Sequence, residues 1–144
     1  MYKIRIAGVP VPLKRSRARL CSNKIIMYDD QTREKKDFRK KLLVEMLNDG
    51  LQPYLEDDYK KCYYRLFIGF VLPYPKEKKE TERIKKNNDI CYKKPDLDNL
   101  IKFVLDCGNE LIWKDDSEIH SIVSNKTYGD EPYTYIEVER HEIV

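Results

Sequence analysis

The segment PDLDNLIKFVLD, residues 95–106, carries the side chains with the clearest capacity for chemistry. Asp96 and Asp98 are one residue apart, and Lys102 and Asp106 follow Asp98 at intervals of four. In a helix that begins after the proline, residues four apart share one face. Asp96 then lies at the positively polarised start of the helix, where a carboxylate stays ionised. Carboxylate oxygens are preferred ligands of Mg²⁺, so the segment is suited to hold a hard cation against a phosphate.

A second acidic segment, WKDDSEI, contributes Asp115 and Asp116 at a predicted junction between a loop and a strand. Magnesium is commonly held by a few carboxylates while waters and a substrate phosphate complete its octahedral shell. Asp96, Asp98 and either Asp115 or Asp116 meet that requirement, and Lys102 is a cation that would stabilise phosphoryl charge. The combination predicts phosphodiester hydrolysis without a protein nucleophile.

The same residues also have a purely structural interpretation. Asp98 is a suitable N-cap, and an ion pair between Asp98 and Lys102 on a helix surface would contribute only about 0.3–0.5 kcal/mol. The segment KDDSE is typical of a polar turn. Two aspartates separated by one residue are common in sequences, so their spacing alone leaves both interpretations open.

Hydrophobic periodicity predicts the elements of the first half of the chain. YKIRIA alternates as a half-buried strand that ends at the breaker over residues 8–12. Residues 13–24, LKRSRARLCSNK, are predicted to form a basic loop. A helix is predicted over residues 33–48, with Asp30 or Thr32 as its N-cap and Gly50 as its stop. Its apolar stripe consists of Phe38, Leu42, Leu43, Met46 and Leu47, and its exposed face of Lys35, Lys36, Arg39 and Lys40.

The second half of the chain contains a central strand, a charged segment, a helix and two closing strands. The strand is predicted near residues 61–72, where aromatic and branched residues precede two prolines. Residues 76–94 contain 8 basic and 4 acidic residues, and a mobile loop and a short charged helix both remain open for them. Helical periodicity follows Pro95, and alternation predicts strands on both sides of the turn at residues 129–132. The predicted fold is α/β (α+β): a single domain with a mixed sheet, two main helices and the order β-α-β-loop-α-β-β.

Charge is distributed unevenly along the 144 residues. Residues 1–94 contain 24 Lys and Arg against 13 Asp and Glu, a net charge of +11, whereas residues 95–144 contain 4 against 12, a net charge of −8. A basic first part indicates a polyanionic partner such as nucleic acid, and the acidic second part offers ligands for a cation. No apolar run approaches the roughly 20 residues of a membrane span. The four cysteines are scattered without a CxxC pair, so we expect reduced thiols, no zinc site and an intracellular protein.

The motifs resemble those of RusA-type Holliday junction resolvases, endodeoxyribonucleases common in phages and prophages. The resemblance rests on KPDLDNLIKFVLD, the acidic turn WKDDSEI and the strand NKTYG, and is strong over residues 94–128. The opening GVPVPLKRSRAR and YDDQTR is more loosely similar. Leu13 and Ser16 depart from the basic residue and proline of many members, and residues 76–94 are longer and richer in lysine.

The resemblance implies a metal-dependent homodimer that binds a four-way DNA junction and makes paired nicks in recombination and repair. The cofactor would be Mg²⁺, for which Mn²⁺ would substitute. The catalytic residues would be Asp96, Asp98, Lys102 and Asp116. The three aspartates would be the metal ligands, with Asp115 open as an alternative to Asp116. The protein would act in the cytoplasm of a bacterium or of a phage-infected host cell.

Basic residues in two segments are predicted to contact DNA phosphates, since each neutralised phosphate releases counterions. They are Lys14, Arg15, Arg17, Arg19, Lys76, Lys78, Lys79, Lys85 and Lys86. Two other functions remain open from the residues: a magnesium nuclease for flaps, forks or other branched DNA, and a non-catalytic DNA-binding protein. Trp113 is predicted to anchor the acidic turn in the core, Cys107 to pack, and His120 to be a structural or exposed side chain.

Overall fold

The computed structural model describes residues 1–28, 30–54 and 61–144, which form a mixed four-stranded sheet, a separate hairpin and three α-helices. The strands are β1 (Tyr2–Ala7), β2 (Arg17–Cys21), β3 (Lys24–Tyr28), β4 (Cys62–Pro73), β5 (Ile119–Gly129) and β6 (Tyr133–Glu142). The helices are α1 (Thr32–Asn48), α2 (Lys78–Lys86) and α3 (Leu97–Gly108), and a 3₁₀ turn spans Asp116–Glu118. The predicted α+β class is confirmed, with one helix and one hairpin beyond the predicted order.

The main sheet has the strand order β1-β6-β4-β5. Strand β4 pairs in parallel with β5 and antiparallel with β6, which in turn pairs antiparallel with β1. The predicted closing strands β5 and β6 therefore flank β4, and the turn at residues 130–132 passes over the end of β4. A Cβ atom at Gly129 would lie 2.6 Å from Cγ1 of Val71, so this crossing requires the absence of a side chain.

The apolar core lies between the sheet and helices α1 and α3. Alternate residues of β4 are buried, among them Tyr64, Ile68 and Phe70, because a strand directs successive side chains to opposite faces. The helices pack together through an edge-to-face contact of Phe38 with Phe103, whose ring centroids are 5.4 Å apart. Helix α3 is thereby held along its apolar side, which leaves its polar side facing outward.

The predicted basic loop over residues 13–24 is wrong, since residues 17–28 form the β2–β3 hairpin. Ser22 and Asn23 make the two-residue turn with φ values of 49° and 64°. Positive φ at both central residues is the conformation of a tight hairpin turn, and asparagine tolerates it better than most residues. The turn was missed because Ser-Asn is a weaker hairpin signal than Asn-Gly.

Helix α1 matches its predicted span within one residue but begins differently. Gln31 is the N-cap and makes no side-chain capping hydrogen bond, so the assignment of the cap to Asp30 or Thr32 is wrong. The predicted stop at Gly50 is confirmed: its φ is +81°, and the next amide, Leu51 N, donates to Met46 O over 2.8 Å. Leu47 of the predicted stripe is 45% exposed.

Of the two alternatives for residues 76–94, the structure shows the helical one. Helix α2 buries Ile84, and Thr81 Oγ1 donates to Pro75 O over 3.0 Å at its start. The segment after the helix returns to β5, where Tyr128 N donates to Asp89 O over 2.8 Å. Among the three described α-helices, none combines the length and the apolar character needed to cross a bilayer.

Candidate active site

Helix α3 begins at the motif that carries the two aspartates. Asp96 is the N-cap residue, with an extended backbone, and its side chain makes no capping hydrogen bond. Asp98 lies in the first helical turn, so its structural interpretation as the N-cap is wrong. Both side chains are exposed. The start of α3 therefore presents two exposed carboxylates at its positively polarised end.

Lys102 lies one turn after Asp98 on the outward face of α3. Its Nζ atom is 3.7 Å from Asp98 Oδ2, and the two side chains are 59% and 67% exposed. An exposed pair of this kind contributes little to stability. The ammonium group can therefore leave the carboxylate of Asp98 and bind a phosphate oxygen at little cost in stability.

Asp116 lies near the other end of α3, close to Asp106. Asp116 is exposed, and slight desolvation together with the charges of Asp115 and Asp106 raises its pKa above the ordinary value. Asp106 itself is 3.6 Å from Lys35 Nζ of α1. Asp106 and Asp115 thus both add negative charge around Asp116, toward the end of α3.

Asp115 differs from its neighbour because it caps the 3₁₀ turn. Its Oδ2 accepts a hydrogen bond from Ser117 N over 3.0 Å, while Glu118 Oε1 accepts bonds from Lys114 N over 2.7 Å and Asp115 N over 3.3 Å. The bonds from Ser117 hold the pKa of Asp115 below its ordinary value. Asp115 thus has a structural role in a capping box.

The structure brings the predicted site residues into two groups, one at the start of α3 and one where the acidic turn meets the helix. Asp98 and Lys102 pair near the start of the helix with Asp96 beside them, and Asp116 lies with Asp115 and Asp106 toward its end. Across the described ranges, no three His, Cys, Asp or Glu side chains stand close enough to form a metal-binding group.

The acidic turn is fixed to the core by Trp113, as predicted. Trp113 is fully buried, and its Nε1 donates to Asn109 Oδ1 over 3.0 Å and to Leu105 O over 3.3 Å. Tyr64 packs edge-to-face against it, with ring centroids 5.8 Å apart. Two further predictions are confirmed: Cys107 is buried and His120 is exposed. The end of α3 and the acidic turn are therefore anchored by one buried ring.

A buried glutamine, which no sequence motif singles out, connects the basic amino-terminal segment to this region. Gln31 is fully buried; its Nε2 donates to Pro12 O over 2.9 Å and its Oε1 accepts from Lys14 N over 2.7 Å. Between these contacts, Leu13 N donates to Asn99 O of α3 over 2.8 Å. The chain that leads into the basic hairpin thus passes directly beside the start of α3.

Lys126 of β5 also belongs to the site and was not selected from the sequence. Its Nζ donates hydrogen bonds to the carbonyl oxygens of Lys93 and Pro95, which lie three residues and one residue before Asp96. A sequence signal existed, because Lys126 stands in the NKTYG strand of the motif. Its contact with the start of α3 depends on a pairing that no local pattern reveals.

The predicted DNA-contacting residues lie at the surface in two places. Lys14 is 4.0 Å from Glu34 Oε1 and still 54% exposed, and Arg19 stacks over Tyr28 at 5.9 Å from the ring centroid. For Arg17 the structure describes the backbone in β2, and its side chain is outside the described part. The other exposed members are Arg15 before the hairpin and Lys76, Lys78, Lys79, Lys85 and Lys86 in and around α2.

Comparison with known families agrees with this arrangement. Residues 7–139 match the sequence profile of the family described as Endodeoxyribonuclease RusA. The chain belongs to this family. The match spans the hairpin, the carboxylate face of α3 and the acidic turn.

A curated relative from Bacillus subtilis (strain 168), the uncharacterized protein YqaN, is 41% identical over 64 residues. This similarity covers 42% of the chain and 45% of YqaN, so the chain matches less than half of the length of this relative.

Proposed function

We propose that this chain is an Mg²⁺-dependent endodeoxyribonuclease that resolves four-way DNA junctions by paired phosphodiester hydrolysis. The observation that carries the proposal is the outward face of α3, where Asp96, Asp98 and Lys102 stand exposed in a chain of the RusA family. Exposed carboxylates and an ammonium side by side suit a phosphate substrate that approaches from solvent.

The donor set fits a magnesium ion in its chemistry. Asp96, Asp98 and Asp116 offer only carboxylate oxygens, and Mg²⁺ is often held by one or two carboxylates with waters and substrate phosphates as the remaining ligands. The carboxylates of Asp115 and Asp106 add negative charge around Asp116, which a divalent cation would offset. Asp116 is favoured over Asp115 as the third ligand, because an oxygen of Asp115 is already bonded to Ser117 N.

When bound, the cation would supply Lewis-acid activation and neutralise charge on the phosphate. Asp96 and Asp98 would hold it at the start of α3, and Asp116 would become the third ligand only if the acidic turn moved closer to them than it lies in this structure. The ammonium group of Lys102 would leave its ion pair with Asp98 and contact a nonbridging phosphate oxygen instead. There it would stabilise the negative charge that develops on the phosphate. The positively polarised end of α3 adds to the same field. No protein nucleophile is required, since water attacks the phosphorus.

The basic residues around the amino-terminal segment and α2 would bind the arms of the junction through their phosphates. Arg19 and Tyr28 present a cation and an aromatic ring on one face of the hairpin. Exposed lysines of α2 present a second positive surface. Contacts of this kind neutralise phosphates in any sequence and give binding that weakens steeply with salt.

We further propose that two copies act together, since paired nicks in opposing strands suit a two-fold symmetric enzyme. In the hairpin register, Ala18 pairs with Met27 and Leu20 pairs with Ile25, so these four side chains share one face. Leu20, Ile25 and Met27 are 74%, 75% and 62% exposed. The face carries no charge, so an identical face can pack against it without like-charge repulsion, and exposed apolar patches commonly mark such contacts.

Action on DNA in the cytoplasm of a bacterium or a phage-infected cell follows from this function. The four cysteines, all within the described ranges, are free thiols, as a reducing compartment requires.

The proposal is tested by cleavage of a synthetic four-way junction beside a linear duplex, a flap and a fork, each with Mg²⁺ or Mn²⁺. We expect paired cuts in the junction alone and none in EDTA. Equal cutting of all substrates would replace junction specificity with a general nuclease activity. Binding without cutting in either metal would show a non-catalytic DNA-binding protein.

The active-site assignment is tested with Asp96→Asn. The variant should bind the junction as tightly as the parent chain and cut it at least 10²-fold more slowly, because loss of an electrostatic group at a phosphoryl site has about that effect. Glu110→Gln is the matched control, since Glu110 is an exposed carboxylate beyond the end of α3. Full cleavage by Asp96→Asn would remove Asp96 from the site.

The dimer proposal is tested by sedimentation of a Leu20→Glu, Met27→Glu variant. Two charges on the apolar face should convert the dimer to a monomer and reduce paired nicking. Arg19→Glu, on the opposite face of the hairpin, should weaken DNA binding and leave the mass unchanged. An unchanged mass for the double variant would exclude this face as the contact between copies.

A further inference from the structure

Lys126 is placed where it controls the backbone that enters α3. Its Nζ lies 2.7 Å from Pro95 O and also donates to Lys93 O. Pro95 O belongs to the peptide bond that joins Pro95 to Asp96, the N-cap residue of the helix. One ammonium group therefore fixes two carbonyl groups within three residues, directly before the first proposed metal ligand.

The pairing of β5 with the segment before α3 holds Lys126 in register. Cys91 N donates to Lys126 O over 3.4 Å, and Tyr128 N donates to Asp89 O over 2.8 Å. Tyr74 O–H in turn donates to Asp89 Oδ1 over 2.6 Å. Because these bonds hold the backbone at Lys126 and at Tyr128, two residues further along β5, the Lys126 side chain has a fixed origin from which to reach the two carbonyl oxygens.

The ammonium group of Lys126 bonds to the backbone carbonyl oxygens of Lys93 and Pro95 and not to a carboxylate. No ion pair of Lys126 occurs among the residues that the structure describes, whereas Lys102 and Lys35 both pair with aspartates of α3. The positive charge of Lys126 therefore remains beside the acidic start of α3. The bonds of a charged donor to carbonyl oxygens are also stronger than neutral ones, which suits a role in fixing backbone.

We infer that Lys126 is a positioning residue that orients Asp96, and through the first turn Asp98, for metal binding. The inference rests on the proposed function of these two aspartates. Groups that orient metal ligands typically alter metal affinity or activity by about 10–100-fold when removed. Lys126→Met keeps the length and the apolar stem of the side chain and removes the donors, whereas Lys126→Arg retains donors for both carbonyl oxygens.

The test uses the full chain and three measurements on Lys126→Met, Lys126→Arg and the control Lys3→Met. Lys3 is an exposed lysine on strand β1. Hydrogen exchange should increase over residues 93–100 in Lys126→Met and stay unchanged in β6. Mn²⁺ affinity, titrated by electron paramagnetic resonance, should fall about tenfold, and junction cleavage should slow by at least that factor. Lys126→Arg should recover exchange protection and most of the affinity, and Lys3→Met should match the parent chain.

Two results would overturn the inference. One is parental exchange over residues 93–100 together with parental Mn²⁺ affinity in Lys126→Met. The other is a uniform rise in exchange throughout the sheet, which would show a general structural role. Failure of the proposed function gives a different result, because the parent chain would then cut no junction while the exchange measurement still reports on the contact of Lys126.

Discussion

The indole ring of Trp113 occupies the space next to Gly108 that a side chain would need. A Cβ atom built on Gly108 would lie 2.3 Å from Cζ2 of Trp113 and 2.7 Å from Cε2. The ring is fully buried and rigid, so it cannot move aside as a flexible side chain would. The last residue of α3 and the anchor of the acidic turn therefore fit together only because residue 108 is a glycine.

Gly108→Ala should consequently destabilise the fold. Overpacking a well-packed core typically costs about 1–3 kcal/mol, and this contact is closer than any that real Cβ atoms tolerate, so we expect a loss at the upper end. Urea unfolding followed by the fluorescence of Trp113, the one tryptophan of the chain, measures it.

Gly69→Ala is the control for this prediction. A Cβ atom at Gly69 would have Phe67 Cε1 as its nearest neighbour at 3.5 Å, an ordinary contact. Alanine in a strand is also favoured over glycine by roughly 0.5–1 kcal/mol. The stability of Gly69→Ala should therefore equal or exceed that of the parent chain, and equal losses in both variants would refute the role of the Trp113 ring.

Much of the fold follows from local patterns in the sequence, because apolar residues at a fixed period report which side of an element is buried. Helix α1, predicted over 33–48, spans 32–48, and strand β4, predicted over 61–72, spans 62–73. The parallel pairing of β4 with β5 was not predictable in this way, since it depends on the path of residues 74–118 between them. The β2–β3 hairpin was missed because both of its faces are exposed, so no buried side imposes a pattern.

The candidate site was predictable to a similar extent. Helical spacing correctly placed Asp98 and Lys102 on one face of α3. It contained no information on where the acidic turn would fold, and the structure places Asp116 near Asp106 at the opposite end of the helix from Asp96. Gln31 and Lys126 act through backbone groups of distant segments, which sequence periodicity does not encode.

Asp115 and Asp116 should affect stability with opposite signs. Asp116 has a pKa above its ordinary value, so the folded chain binds this proton more tightly, and stability is lost as pH rises through the raised pKa. Asp115 has a lowered pKa, so it stabilises the fold above the ordinary carboxyl pKa, and that contribution is lost as pH falls. At pH 7, Asp116→Asn should raise Tm and Asp115→Asn should lower it.

The Tm of both variants and of the parent chain should be measured between about pH 3 and pH 8, a range that brackets the ordinary Asp pKa. The two differences from the parent chain should shrink at the acid end of the range. A shift of the same sign for both variants would contradict the assignment of Asp115 to the turn and of Asp116 to the crowded carboxylates.

The two hydrogen bonds by which Gln31 holds Pro12 and Lys14 should make stability sensitive to the replacement of one nitrogen by oxygen. In Gln31→Glu one oxygen still accepts from Lys14 N, while the other replaces the donor to Pro12 O and repels that carbonyl. Leaving buried polar groups unsatisfied costs about 1–3 kcal/mol, or more when one is charged. Chemical denaturation should show the loss. Glu34→Gln is the control, since Glu34 lies in an exposed ion pair with Lys14 at 4.0 Å and should matter little.

Substitution of Lys102 should reduce the rate of junction cleavage and leave the free energy of unfolding almost unchanged. Its pair with Asp98 is exposed, so Lys102→Met should change the free energy of unfolding by no more than about 0.5 kcal/mol. If Lys102 stabilises phosphoryl charge, the same variant should slow single-turnover junction cleavage by about 10²–10³-fold. Lys61→Met, an exposed lysine before β4, should cut at the parental rate. A parental cleavage rate in Lys102→Met would leave the ion pair as the whole role of this residue.

The lysines of α2 should contribute to DNA affinity through phosphates alone. Lys78, Lys79 and Lys86 are exposed, so changing all three to Gln should leave the circular dichroism spectrum close to that of the parent chain. Each phosphate contact that is lost reduces the slope of log affinity against log salt by about 0.9. We therefore expect a slope shallower by up to about three and weaker binding to junctions of every sequence. Three matched changes on α1 and β1, Lys36→Gln, Lys40→Gln and Lys3→Gln, remove the same net charge from exposed positions away from α2. If the slope of log affinity against log salt falls equally in both triple variants, the affinity depends on overall charge, and α2 is not a specific contact surface.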